Sequence, residues 1–158
     1  MPAAHVEILS VVGFVALWVG IVWLVSFFSG WRVLAAAYPC VRTFPSAAWR
    51  FRTLGMRWAN YGCCVTLGAD ATDLCVRVLW IFRPGHAAFC VPWQDVRVEE
   101  QERTFMGLLP FRCAVFTLAR EPHVELLVAP KLAREILDHP DVRGASPTVK
   151  WLEDDAQT

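Results

Sequence analysis

The chain has 158 residues, 56% of them hydrophobic and 19% charged, with a formal net charge of +0. That charged share lies below the roughly 25% usual for soluble domains. The length fits one domain and a short appendage.

No charged residue occurs between Ile8 and Trp31. The run ILSVVGFVALWVGIVWLVSFF supplies the about 20 apolar residues, at about 1.5 Å each, that a membrane-spanning helix requires. Its flank MPAAHVE holds no Lys or Arg, and the run exceeds the about 7–15 residues of a signal-peptide core. The reading is an uncleaved span over residues 8–30 after a short N-terminus, residues 1–7. Continuous apolarity on every face argues against the buried helix of a small domain. Within it, Ala16 and Gly20 form a small-x-x-x-small pair of the kind that supports helix pairing.

Beyond the span come Arg32, Arg42, Arg50, Arg52 and Arg57, and no acid until Asp70. This asymmetry predicts the N-terminus outside and the C-terminal part in the cytoplasm. The five arginines are also the lipid-contact candidates, since each gains about 1 kcal/mol beside anionic headgroups. The plainer reading makes them topology signals alone. Trp31 fits the aromatic belt of the interface.

Residues 31–47 read as a short juxtamembrane helix, GWRVLAAAYP, stopped by Pro39, and a linker. The pattern then takes period two. The expected strands are WRFRTL, YGCCVTLG, LCVRVLWIF, AAFCV, DVRVEE, FRCAVFTLA and HVELLV, separated by turn formers. In the first, Trp49 and Phe51 should face the core and Arg50 and Arg52 the solvent. In the third, Leu74, Val76, Val78 and Trp80 share a face. PKLAREILDH changes period, with Leu132, Ile136 and Leu137 at helical spacing behind Pro130. Residues 141–158 read as a flexible tail.

The fold class is thus α+β: a transmembrane helix, then about seven antiparallel strands forming a barrel or sandwich over residues 48–140, closed by a C-terminal helix. This element order, and the run Phe89-Cys90-Val91-Pro92-Trp93-Gln94-Asp95-Val96, resemble small bacterial membrane proteins carrying a PH-like or GRAM-like module. The resemblance implies fold more than function: a C-terminal helix plugging the open end of a bent sheet, in a bacterial inner-membrane protein.

The segment FRPGHAAFCVPWQDV carries the most suggestive chemistry, a histidine and a cysteine. Pro84 and Gly85 mark a turn, and no carboxylate precedes Asp95 to orient a Cys–His pair. The loop reads as a structural corner with an incidental His86. Cys40, Cys63, Cys64, Cys75, Cys90 and Cys113 include no C-x-x-C pair, and His5, His86, His123 and His139 are scattered, so no metal or cofactor site is expected. Cysteines in apolar strand runs serve as small hydrophobes, reduced in a cytoplasmic domain. Motifs for hydrolases, zinc proteases and nucleotide binding are lacking.

The leading expectation is a non-enzymatic, membrane-anchored module. Its partners are the bilayer, anionic headgroups, and a membrane protein or second copy, with no nucleic acid. The other class is a membrane-bound enzyme or thiol-redox protein using Cys63, Cys64, Cys90 and His86. The apolar stretch around Phe105, Met106, Leu108 and Leu109 is the candidate interaction loop.

Overall fold

In the computed structural model, which describes residues 2–105, 109–145 and 147–152, the apolar run forms one helix, α1 (Pro2–Ser29). Its segment Val6–Ser29 is long and apolar enough to cross a membrane, and the rest of the chain covers almost none of it. Gly30 ends the helix with φ 87°, a left-handed conformation that favours glycine. A Cβ there would also lie 3.0 Å from a methyl of Val124. The chain turns at this point into α2 (Trp31–Ala37).

The juxtamembrane segment is part of the core. Trp31, Leu34 and Tyr38 recur at helical spacing and all three are buried among the strands, Trp31 completely at 0% exposure. The expectation of Trp31 in an interfacial belt is therefore corrected: its indole lies inside the protein. The reason is the turn at Gly30, which points the next residue inward.

Eight strands follow: β1 (Ala48–Met56), β2 (Ala59–Ala69), β3 (Asp73–Val78), β4 (Phe89–Pro92), β5 (Val96–Phe105), β6 (Leu109–Leu118), β7 (Leu126–Val128) and β8 (Thr148–Lys150). They form one curled sheet, a half-barrel, in the order β4-β3-β2-β1-β7-β6-β5-β8. All neighbours are antiparallel except β5 and β8, which pair in parallel. Helix α3 (Pro130–Leu137) starts with proline at its first turn and buries Leu132, Ala133 and Ile136. The α+β class and the order of the seven expected strands match the sequence reading, but HVELLV contributes only Leu126–Val128 and the strands form one curled sheet in place of the expected barrel or sandwich. The stretch expected as a tail contributes the eighth strand at Thr148–Lys150.

Two local expectations fail for identifiable reasons. Along β1, Trp49 pairs with Leu67 and Arg52 with Val65, so three steps on β1 oppose two on β2. Phe51 is the extra residue, with φ 55°, and the bulge turns its ring outward to 62% exposure. A compensating irregularity on β2 contains Cys63, φ 51°. Arg50 and Arg52 are exposed as expected, but so are Phe51 and Thr53. In the third strand, Leu74, Val76 and Val78 are buried, whereas β3 stops at Val78 and a single 3-10 turn, Trp80–Phe82, leaves Trp80 75% exposed.

Fully burying a large apolar side chain stabilises by about 1.5–3 kcal/mol, so Trp31, Leu34 and Tyr38 together rival the whole net stability of a typical domain, roughly 5–15 kcal/mol. In mild detergent, a fragment starting at Ser29 should melt cooperatively by near-ultraviolet circular dichroism. One starting at Phe44 should show no such transition.

A candidate membrane-facing site at the helix–sheet junction

Helix α1 touches the domain through one stripe. From Val6 onward, Trp18, Val22, Val25, Ser26 and Ser29 are the positions at least partly covered, spaced by three and four residues as one helical face demands. The surface they meet is the corner between β3 and β4. Trp18 packs on Phe82 with ring centroids 5.5 Å apart. Trp23 and Ser26 crowd Gly85, whose missing Cβ would lie 3.1 Å from the indole. Gly85 has φ 75° and so satisfies both the turn and the close approach. The Ser26 hydroxyl donates to the Gly85 carbonyl.

A buried polar chain closes the junction. His86 Nδ1 lies 3.1 Å from the Pro84 carbonyl, an acceptor, so Nδ1 carries the proton. Nε2 then accepts from the Tyr61 hydroxyl at 3.0 Å. The Ser29 hydroxyl, 2.7 Å from the Tyr61 oxygen, donates to it. Ser29 in turn accepts the Trp31 backbone N–H at 3.4 Å. The Trp31 indole donates to the Ala87 carbonyl at 2.8 Å and packs against Tyr61, His86 and Phe89.

His86, read from sequence as an incidental corner residue, is 3% exposed and joins α1, β2 and the corner. Burial pushes its imidazole below the ordinary range, with the hydrogen bonds to the Pro84 and Phe82 carbonyls opposing in part. Burial likewise raises the Tyr61 hydroxyl, against the bond from Ser29. Tyr61 and the two serines were missed in the sequence. The available signal was Ser26 and Ser29 on one face of an otherwise apolar helix, because polar groups in such a helix turn toward partners.

The five candidate arginines do not form one patch. Arg32 stacks over Trp23 at 5.0 Å. With Arg57 it lines a groove of about 830 Å³ that also includes Phe27, Phe28 and Glu121. Arg42 pairs with Asp73 at 3.8 Å and Arg52 with Glu135 at 3.9 Å; such exposed pairs contribute little stability. Arg50 is exposed near the opposite end of β1 from Arg57, roughly 20 Å away at about 3.3 Å per residue. Arg83, not singled out in the sequence, is exposed within the corner beside Trp80 and Ile81.

Of the candidate interaction loop, Met106 and Leu108 lie outside the described residues. Phe105 and Leu109 end the β5–β6 ladder, and Leu109 is exposed. This hairpin lies at the far end of β6 from Arg120, which bonds Tyr38 and Ala37 beside α2. The length of β6 separates the two by roughly 30 Å. An exposed Trp58, next to Arg57, shares a mainly apolar cavity of about 370 Å³ with Phe111.

Cys63 is exposed, Cys64 half-buried and Cys113 buried. Burial raises the thiols of Cys64 and Cys113, which disfavours a reactive thiolate. Cys90 gathers with Cys40 and Cys75. Among the described residues, Cys63, Cys64, Cys90 and His86 do not converge into one cluster. Neither models of known families, nor curated proteins, nor solved structures match this chain.

The buried histidine makes a pH prediction. His86 is held neutral when folded, whereas the unfolded chain takes up a proton below about pH 6.5. Its contribution is therefore present above that value and lost as pH falls through the depressed folded value. The thermal midpoint in detergent should fall more from about pH 7.5 to about pH 5 for the wild type than for His86→Gln. Tyr61→Phe should cost about 1–3 kcal/mol at neutral pH by leaving His86 Nε2 without a donor.

Proposed function

We propose that the chain is a single-pass, membrane-anchored, non-enzymatic module of PH-like architecture, seated on the cytoplasmic face of the inner membrane, where it presents an interaction surface with lipid as its first ligand. The observation that carries this reading is the docking of the residue 80–86 corner along α1. A span of 24 residues measures about 36 Å, against about 30 Å of hydrocarbon. Trp18 lies eleven residues before Ser29, about 16 Å along the axis. Even with all the surplus length at the C-terminal end, Trp18 would sit roughly 10 Å below the hydrocarbon boundary. Phe82, packed against it, goes with it.

The corner would then dip into the bilayer, with Trp80 and Ile81 facing lipid. Their exposure, costly in water, suits that position. The exposed Arg83 would extend its charge back toward the headgroups. Arg32 and Arg57, on the same side, would meet the headgroup layer, and basic residues on this flank alone favour the cytoplasmic orientation. Seven antiparallel strands followed by a helix support the PH-like assignment. The hairpin at Leu109 is left to a protein partner.

A photoreactive benzophenone residue in place of Trp80, in full-length protein reconstituted into vesicles containing an anionic lipid, should capture lipid. The same residue at the exposed Asp141 should not. Failure of capture at position 80, or equal capture at both, would remove the proposed seating.

A further inference from the structure

Cys40, Cys75 and Cys90 come from three separate segments: the linker after α2, β3 and β4. The linker is held against β4 by a bridge between Pro39 and Phe89, and by the Cys90 N–H donating to the Tyr38 carbonyl at 3.1 Å. Cys75 and Cys90 are direct partners across the β3–β4 ladder. The three sulfurs all lie within 4.8 Å of one another, and Cys90 is within bonding reach of both others.

A disulfide joins two sulfurs, so three in one place leave one unused whichever pair bonds. The Cα atoms of Cys75 and Cys90 are 4.0 Å apart, closer than the roughly 4.4–6.8 Å usual between bridged cysteines. Those of Cys40 and Cys90, at 4.8 Å, fit a bridge, but that bond would leave the buried Cys75 thiol alone beside it. A metal ion uses all three. Around an ion with metal–sulfur bonds of about 2.3 Å, tetrahedral sulfurs stand about 3.8 Å apart, so Cys90, within bonding reach of both others, would draw back from each to admit the ion.

We propose that Cys40, Cys75 and Cys90 form a binding site for one thiophilic metal ion of the zinc or copper(I) class. Thiolate ligands select such ions over hard cations. Cys90 also borders an open cavity of about 320 Å³ rimmed by Tyr38, Arg42, Asp73 and Arg120. It offers a fourth position to water or a small ligand, as open zinc sites do. Three thiolates around a divalent ion leave one net negative charge, at a rim where Arg42 pairs with Asp73 and Arg120 with Asp95. The bound ion ties the segment leaving the membrane helix to the outer edge of the sheet.

The test uses full-length protein purified in detergent under reducing conditions without chelator. Titration with Cd²⁺ should give an ultraviolet thiolate-to-metal charge-transfer band saturating at one equivalent. Loss of a ligand should weaken binding by roughly a hundredfold or more, since even outer-shell partners cost about 10–100-fold. Cys40→Ser, in the linker, and Cys75→Ser should show that loss, while Cys63→Ser and Cys64→Ser bind as the wild type. Near-ultraviolet circular dichroism checks that each variant is folded, and the wild-type titration stands even if Cys75→Ser is not. The proposal is overturned if reduced, folded wild type gives no band or if the band survives Cys40→Ser. A Cys40–Cys90 disulfide in protein alkylated directly from cells would overturn it too.

Discussion

A helix apolar on every side has no preferred face toward a domain in its own chain, so something other than hydropathy must fix the two together. Here that constraint is the burial of Trp31, one residue beyond the left-handed turn at Gly30. The indole sits among Tyr61, His86 and Phe89 and anchors its N–H on the Ala87 carbonyl. Because Gly30 and Trp31 adjoin the last turn of α1, orienting one ring orients the helix. Ser29 and Ser26 then reach Tyr61 and Gly85, and Trp18 reaches Phe82. Moving the turn by one residue would rotate the serine face by about 100° and strand two buried hydroxyls.

The polar chain adds direction to this packing. Every member from Pro84 through His86 and Tyr61 to Ser29 has a partner of the right polarity when Nδ1 carries its proton, and burial keeps the ring neutral, which sets the direction of the chain. Buried polar groups that are fully paired specify one arrangement, whereas partly paired ones are costly. The Trp18 indole N–H, buried without a partner among the described residues, shows the contrast. At that position α1 is held by ring packing alone.

Much of the fold was legible because the period-two runs are long and separated by Gly, Pro and Asp clusters. Seven strands and α3 follow from that pattern. Phe51 was misread because its bulge is carried by non-glycine residues at positive φ, Phe51 and Cys63, which give no compositional sign. Trp80 was misread because an apolar run continues past the point where the chain leaves the ladder. The junction was hidden more deeply: Ser29, Tyr61 and His86 stand 32 and 25 residues apart in turn, and local spacing carries no trace of such contacts. The thiol cluster has the same origin, because Cys75 meets Cys90 through strand register and Cys40 meets both only once α2 has folded inward.

An open half-barrel leaves two edge strands with unpaired backbone groups, which invite pairing with other chains. The chain covers both with its own flanking segments. At β4, the linker after α2 supplies the Tyr38 carbonyl to the Cys90 N–H and a bridge at Pro39, and Pro92 has no N–H to offer. At β5, the short β8 pairs with residues 97–99. The burial of Tyr38 and Leu34 delivers the linker to β4 at the correct height, so the edge is closed by the same segment that joins α1 to the core. Loosening α2 would therefore free α1 from the domain, open the cavity beside Cys90 and uncover the β4 edge together, because one stretch of backbone performs all three tasks.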